Sequence, residues 1–226
     1  MDENGVQRRG SSSSSRRRNS KVPQASSYNV RCVVLGDGDV GKTAMLLTYL
    51  CGHFPEDVPP GIMDGLSEYD HLTKHPVKLQ QDNVEVFLTL VDSYGLDEYE
   101  KLRERMCASG DVYMLCFSTD KRSTFERVRH HWLPEMRKYS STQTPFVVVG
   151  LKTDIRTKAQ ADSSDISPFI TYSEGMREAG DLGAAQYTEC SAKNNTGVKR
   201  VFEQTVHAAL QNMMPAELKR TSCVVS

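Results

Sequence analysis

Gly36–Asp37–Gly38–Asp39–Val40–Gly41–Lys42–Thr43 follows an apolar, β-branched run from Val30 to Leu35 and opens into Ala44–Met45–Leu46–Leu47–Thr48–Tyr49–Leu50. Strand, glycine-rich turn and helix in that order form the context in which a G-x-x-x-x-G-K-[ST] match denotes a phosphate site. Glycines let the backbone curl round an anion, so N–H groups point inward at the positive end of a helix. Lys42 can neutralise β- and γ-phosphates, and the Thr43 hydroxyl can ligate Mg²⁺. A merely structural glycine turn is the competing reading. It gives no reason for Lys and Thr to stand in register with the helix start.

The 226 residues suffice for one α/β domain with tails. A formal net charge of -1 gives no footing for a nucleic-acid partner. Six cysteines, at 32, 51, 107, 116, 190 and 223, lack metal-ligand spacing. Without a secretory h-region or an apolar run long enough to span a bilayer, a reducing cytosolic setting with free thiols is expected.

Residues 1–27 read as a tail, with Ser11 to Ser15, Arg16–Arg17–Arg18 and almost nothing apolar. Such a segment cannot bury enough surface to offset its ordering entropy. It reads as a solvated linker, or as a basic arm that touches anionic membrane and is released when its serines gain charge.

Pro59–Pro60–Gly61 marks a loop. Val77–Lys78–Leu79 and Val84 to Val91 read as paired strands around Gln80–Asn83, and the second runs into Asp92–Ser93–Tyr94–Gly95. Helical patterning covers Glu98 to Met106, then Thr124 to Lys138, where Pro134 should kink the helix or restart it. Val112 to Phe117 and Pro145 to Val149 are buried strands, the latter ending at Gly150–Leu151–Lys152–Thr153–Asp154. Residues 155–168 read as polar and irregular. Ser173 to Gly180 reads as a helix capped by Ser173. A last strand, Gln186 to Cys190, leads into Ser191–Ala192–Lys193, and Gly197 to Met213 is an amphipathic helix. The order β-α-β-β-α-β-α-β-α-β-α implies an α/β fold: a six-stranded, mostly parallel sheet with helices on both faces and ligands at the carboxyl ends of its strands.

These residues resemble the Rho branch of the Ras-superfamily small GTPases, close to the Rac and cell-division-control proteins, over residues 28–213 and the last four. The resemblance rests on Gly36 to Thr43, Phe54–Pro55–Glu56–Asp57, Asp92…Gly95–Leu96–Asp97–Glu98–Tyr99–Glu100–Lys101–Leu102–Arg103, Trp132–Leu133–Pro134–Glu135, Thr144–Pro145–Phe146…Val149–Gly150 and Glu189–Cys190–Ser191–Ala192–Lys193. A segment before Ile170–Thr171–Tyr172 stands where that branch carries an insert helix. The resemblance implies a P-loop NTPase of the small G-domain type, binding GTP or GDP with Mg²⁺.

On that resemblance Asp154 selects guanine, accepting its N1–H and N2–H, donors that adenine does not offer together. Lys152 lies along the base, and Ser191, Ala192 and Lys193 complete the base pocket. Phe54 stacks near the base. Asp92 holds Mg²⁺ through water, and the Gly95 amide meets the γ-phosphate. Cys223–Val224–Val225–Ser226 matches the C-a-a-X pattern, which implies prenylation of Cys223 with the attendant methylation. The protein is then expected as a monomer on the cytoplasmic face of the plasma membrane or endomembranes, meeting Rho-type effectors and regulators. Residues 214–226 form the tail that carries this anchor. One prenyl chain gives marginal membrane binding, so a second signal is expected, and the basic N-terminal arm is available for it.

The departures from the family pattern carry as much information as the matches. Leu96 stands where the water-positioning Gln normally stands, so no catalytic residue is assigned. Ser93–Tyr94 replaces Thr-Ala. Gly61 falls where a Thr normally ligates Mg²⁺; Thr73 is available, but spacing does not select it. Asp39 puts a carboxylate in the phosphate cradle, and Leu151 replaces an Asn or Thr near the base. The expectation is an atypical, membrane-tethered switch for cytoskeleton, polarity or membrane traffic, with weak hydrolysis and fast exchange. The alternatives are a pseudo-GTPase interaction module and, further off, a P-loop ATPase or small-molecule kinase, against which Asp154 and Ser191–Lys193 weigh.

Overall fold

Every second residue of the first strand faces the same layer, and both layers are apolar, which places that strand in mid-sheet. The computed structural model describes residues 27–56 and 75–214. Strand β1 (Ser27–Gly36) buries Cys32 and Val34 against one helical layer and Val33 and Leu35 against the other. Helix α1 (Lys42–Cys51) follows the glycine-rich turn. Strands β2 (Val77–Gln81) and β3 (Val84–Asp92) pair antiparallel across Asp82–Asn83, whose φ values of 49° and 62° give the left-handed two-residue turn that hairpins favour.

A 3-10 turn (Asp97–Tyr99) leads into α2 (Glu100–Cys107). Strands β4 (Val112–Ser118) and β5 (Phe146–Leu151) are buried throughout, as parallel strands covered on both faces must be. Helix α3 (Arg122–Arg127) continues through a π turn (Val128–Trp132) into α4 (Leu133–Tyr139). The break that Pro134 requires is therefore absorbed one turn upstream, where the missing amide donor is tolerated by widening the helix.

Helix α5 (Thr153–Ala161) corrects the expectation of irregular chain after residue 155. It buries no residue, so it leaves no apolar period to read. Helix α6 (Tyr172–Asp181) is capped by Thr171, whose hydroxyl accepts from the Glu174 amide, rather than by Ser173, which lies inside the first turn. Strand β6 (Gln186–Glu189) and helix α7 (Val198–Met213) complete the described chain.

The six-stranded sheet runs β2-β3-β1-β4-β5-β6, with every pair parallel except β2–β3. Met45 and Leu46 of α1 and Val201, Phe202 and Leu210 of α7 cover one face. Phe125 of α3, Val128 and Trp132 of the π turn, Met136 of α4 and Ala179 of α6 cover the other. Strand β1 is flanked by β3 and β4, so the chain reverses its winding direction at its carboxyl end, where open α/β sheets hold ligands. Among the described residues no helix is long and apolar enough to cross a membrane.

Candidate functional site

A cavity of about 440 Å³ opens at the carboxyl ends of β1, β3 and β5. Its phosphate end is the Gly36–Lys42 loop. Lys42 opens α1 and is 6% exposed, and its Nζ donates to the Gly36 and Asp37 carbonyls at 2.8 Å each. An ammonium has three donors, so one remains for a ligand in the cavity that Lys42 lines. Burial draws the Lys42 pKa below the usual lysine range, while Asp92 and then Asp37 pull it back up. Gly41 adopts φ 108°, a left-handed conformation that favours glycine at the turn into α1. Asp39, at φ 60°, is exposed and lines the cavity beside Gly38.

The Thr43 hydroxyl donates to Asp92 Oδ2 at 2.5 Å, bringing together the two residues assigned to Mg²⁺. Ser93 fixes the end of β3 by donating its hydroxyl to the Val34 carbonyl at 2.5 Å. Among the described residues no cluster of three or more His, Cys, Asp or Glu could hold a metal alone. One hydroxyl and one carboxylate at the edge of an anion cradle suit Mg²⁺, which keeps waters and shares phosphate oxygens. Thr43 and Asp92 would hold the ion, and it would supply neutralisation of phosphate charge.

The base end is built from two loops. Lys152 takes a left-handed conformation (φ 59°) between β5 and α5, and its aliphatic stem lies over Gly41. Asp154 sits in the first turn of α5, where Ser191 Oγ donates to its Oδ1 at 2.7 Å. The Asn194 amide donates to the same hydroxyl, and Ser191 and Thr196 exchange backbone hydrogen bonds, so the loop carrying Ala192 and Lys193 is closed. One Asp154 oxygen is thus held and the carboxylate faces the cavity. Phe54, Ala44, Ala192 and Lys193 all line it.

Not every assigned residue points inward. Gly36 and Asp37 take part through their carbonyls, and the Val40 side chain is buried in the core. Ser191 acts through Asp154, and Asp92 through Thr43. Ile155, which lines the cavity, was not singled out in the sequence; an isoleucine in a polar stretch right after Asp154 is the signal that was available. Gly61, Thr73 and Cys223, with residues 1–26 and 215–226 of the two tails, lie outside the described residues.

The segment after β3 closes the phosphate end. A Cβ on Gly95 would stand 2.1 Å from the Gly38 nitrogen, so only glycine allows this approach of the two backbones. Leu96 is 55% exposed and reaches over Gly38. The Tyr94 ring packs on Tyr99 with centroids 4.7 Å apart. Beneath them, fully buried Arg103 donates to both Glu135 oxygens at 2.6 and 2.9 Å and to the Tyr94 and Leu96 carbonyls at 2.9 and 2.5 Å. This bidentate pair fixes the turn from below.

A phosphate cradle, a buried lysine, a Thr–Asp pair and a base-facing carboxylate on one sheet edge are thus combined in one cavity. The Ras family model matches residues 31–211, most of the chain. The chain is also 33% identical over 196 residues to the Ras-like GTP-binding protein RhoL of Drosophila melanogaster, covering 87% of this chain and 94% of that relative. The chain therefore belongs to the Ras family, as a divergent small GTP-binding protein of the Ras/Rho-like type.

Proposed function

We propose that the protein is a membrane-tethered Rho-type switch that binds guanine nucleotide with Mg²⁺, hydrolyses GTP slowly and releases nucleotide readily. The observation that carries slow hydrolysis is Leu96, exposed over Gly38 with no hydrogen-bonding atom to orient an attacking water. Ready release is supported by the Asp39 carboxylate lining the phosphate end and by Leu151, which offers the base no side-chain hydrogen bond. With GTP in excess over GDP in cells, such a switch sits loaded without an exchange factor, and its control falls to abundance, lipidation of Cys223 and charge on its serine-rich tail.

Effectors of the Rho type and a role in cytoskeleton, polarity or membrane traffic belong to the same proposal. A pseudo-GTPase is the second reading, and the Asp39 carboxylate favours it. Lys42 with one donor free and Asp154 held by Ser191 favour retained binding. Single-turnover hydrolysis on GTP-loaded protein, with bound nucleotide identified by chromatography beforehand, separates them. Bound guanine nucleotide with almost no turnover is expected; turnover at an ordinary family rate would sink the proposal, and protein that cannot be loaded would favour the second reading. Membrane attachment is tested by fractionating cells that express the protein or Cys223→Ser, with loss of the membrane pool expected for the variant.

A further inference from the structure

Arg127 lies on α3, outside the cavity, with its side chain 36% exposed. Its Nε donates to Asp37 Oδ1 at 2.7 Å, and its Nη2 donates to Asp97 Oδ1 at 2.8 Å. One guanidinium therefore joins two segments 60 residues apart: the phosphate loop and the turn that follows Leu96. The Trp132 indole N–H donates to the same Asp37 oxygen at 2.7 Å, and the Arg127 guanidinium stands 5.7 Å from the Trp132 ring centroid. Asp97 is 70% exposed, with His131 Nε2 3.4 Å away. The hydrogen bond from Arg127 draws the Asp97 carboxyl below the usual aspartate range, as a formed ion pair should.

We propose that Arg127 is a positioning residue that couples the phosphate loop to the second switch, so that they open together and nucleotide leaves more slowly than it would without the tie. It acts through Asp37 and Asp97 and touches no ligand. Gly95, two residues before Asp97, has its backbone against Asp37 and Gly38, so separating Asp97 from Arg127 frees the segment that covers the phosphate end. Arg103 holds Tyr94 and Leu96 from below; Arg127 is the tie that reaches the loop itself. A lysine at 127 cannot replace it, because a point charge cannot bond two carboxylates with the fork geometry of Nε and Nη2.

The release part rests on the guanine-nucleotide reading above, so the test has two readouts. Amide hydrogen exchange at residues 94–99 is measured on the full chain without nucleotide, and release of a fluorescent GDP analogue is measured on loaded protein. Asp97→Asn and Arg127→Lys should each raise the amide exchange, and each should speed release roughly threefold, the size set by a partly exposed ion pair. The double variant should go no further than the singles, since both break one tie. Melting temperature should shift little, since a partly exposed pair adds little to global stability, so release is the readout that a merely structural role would not move. Exchange at the wild-type rate, or an additive double variant, overturns the coupling. A wild-type chain that takes up no guanine nucleotide overturns the reading above instead, while exchange at residues 94–99 still decides the tie.

Discussion

The two ends of the cavity differ in what holds them. At the base end the loops are tied by their own polar groups: Ser191 Oγ donates to Asp154, the Asn194 amide donates to Ser191, and Asn195 Nδ2 donates to the Gly52 carbonyl just after α1. At the phosphate end Lys42 and the Thr43–Asp92 pair are equally placed, but Asp39 brings a carboxylate to the cavity lining, Leu96 reaches over Gly38 with an apolar side chain, and the Tyr94 ring packs on Tyr99. The groups proposed to bind nucleotide also organise the loops around them, whereas the position proposed to orient water organises nothing else, so the fold does not require a glutamine at 96.

The comparison breaks most visibly at the base end. Asp154→Ala removes the carboxylate proposed to accept two hydrogen bonds from guanine and leaves the Ser191 hydroxyl without its acceptor. A loss of about a hundredfold or more in GDP affinity is expected, measured by calorimetric titration, with little discrimination left between guanine and adenine nucleotides. Retained guanine preference would mean that the base is read elsewhere in the pocket.

The next effect is at the phosphate end and of opposite sign. Leu96→Gln restores a group able to orient water where a leucine now reaches over Gly38. Single-turnover hydrolysis should rise by about tenfold, short of full recovery because Tyr94 remains on Tyr99 beside the site. An unchanged rate would place the deficit elsewhere in the second switch rather than in the missing amide.

The two ends also differ in how far they could be read from sequence. Gly36 to Thr43 carry a local pattern, glycines at required turns and a lysine at a helix start, whereas Lys152, Asp154 and Ser191–Lys193 take their roles only from the family resemblance. The strands were legible from local pattern too, since β4 and β5 are unbroken apolar runs. Helix α5 was not, because it buries no side chain, and Thr171 displaced Ser173 as the cap because the chain turns two residues earlier than the polar pattern indicates. Arg103, Arg127 and Trp132 were illegible as site residues. Their partners Glu135, Asp97 and Asp37 lie 30 to 95 residues away, and such pairings leave no periodic trace.

A smaller effect sharpens the electrostatic side of the comparison. Asp39→Asn keeps a residue that tolerates the left-handed conformation and removes the charge from the cradle. Release of GDP should slow by about fivefold, the size of roughly 1 kcal/mol between solvent-exposed charges near contact. Stopped-flow displacement measures it, and the difference should shrink at high salt because Asp39 is exposed. A salt-independent change would point to altered loop shape instead.

Below the cavity the two ends become alike, and the last prediction tests that shared floor. The Cys116 carbonyl lies directly under Gly36, and the Cys190 carbonyl accepts from the Thr153 amide under the base end. Burial pushes the Cys190 thiol up to about 12, likewise that of Cys32, and holds Cys116 well above the ordinary 9 despite Lys42 nearby. Below pH 9 folded and unfolded chains both keep these protons, and the stability is present in full. Between about 9 and 12 the unfolded chain loses them while the folded one retains them, so the unfolded chain binds fewer protons and stability falls as pH rises. Denaturant unfolding at pH 8 and above pH 10 should show that decline, and Cys190→Ala should make it shallower. The same decline in the variant would assign the alkaline loss to other groups, and the floor would then contribute packing alone.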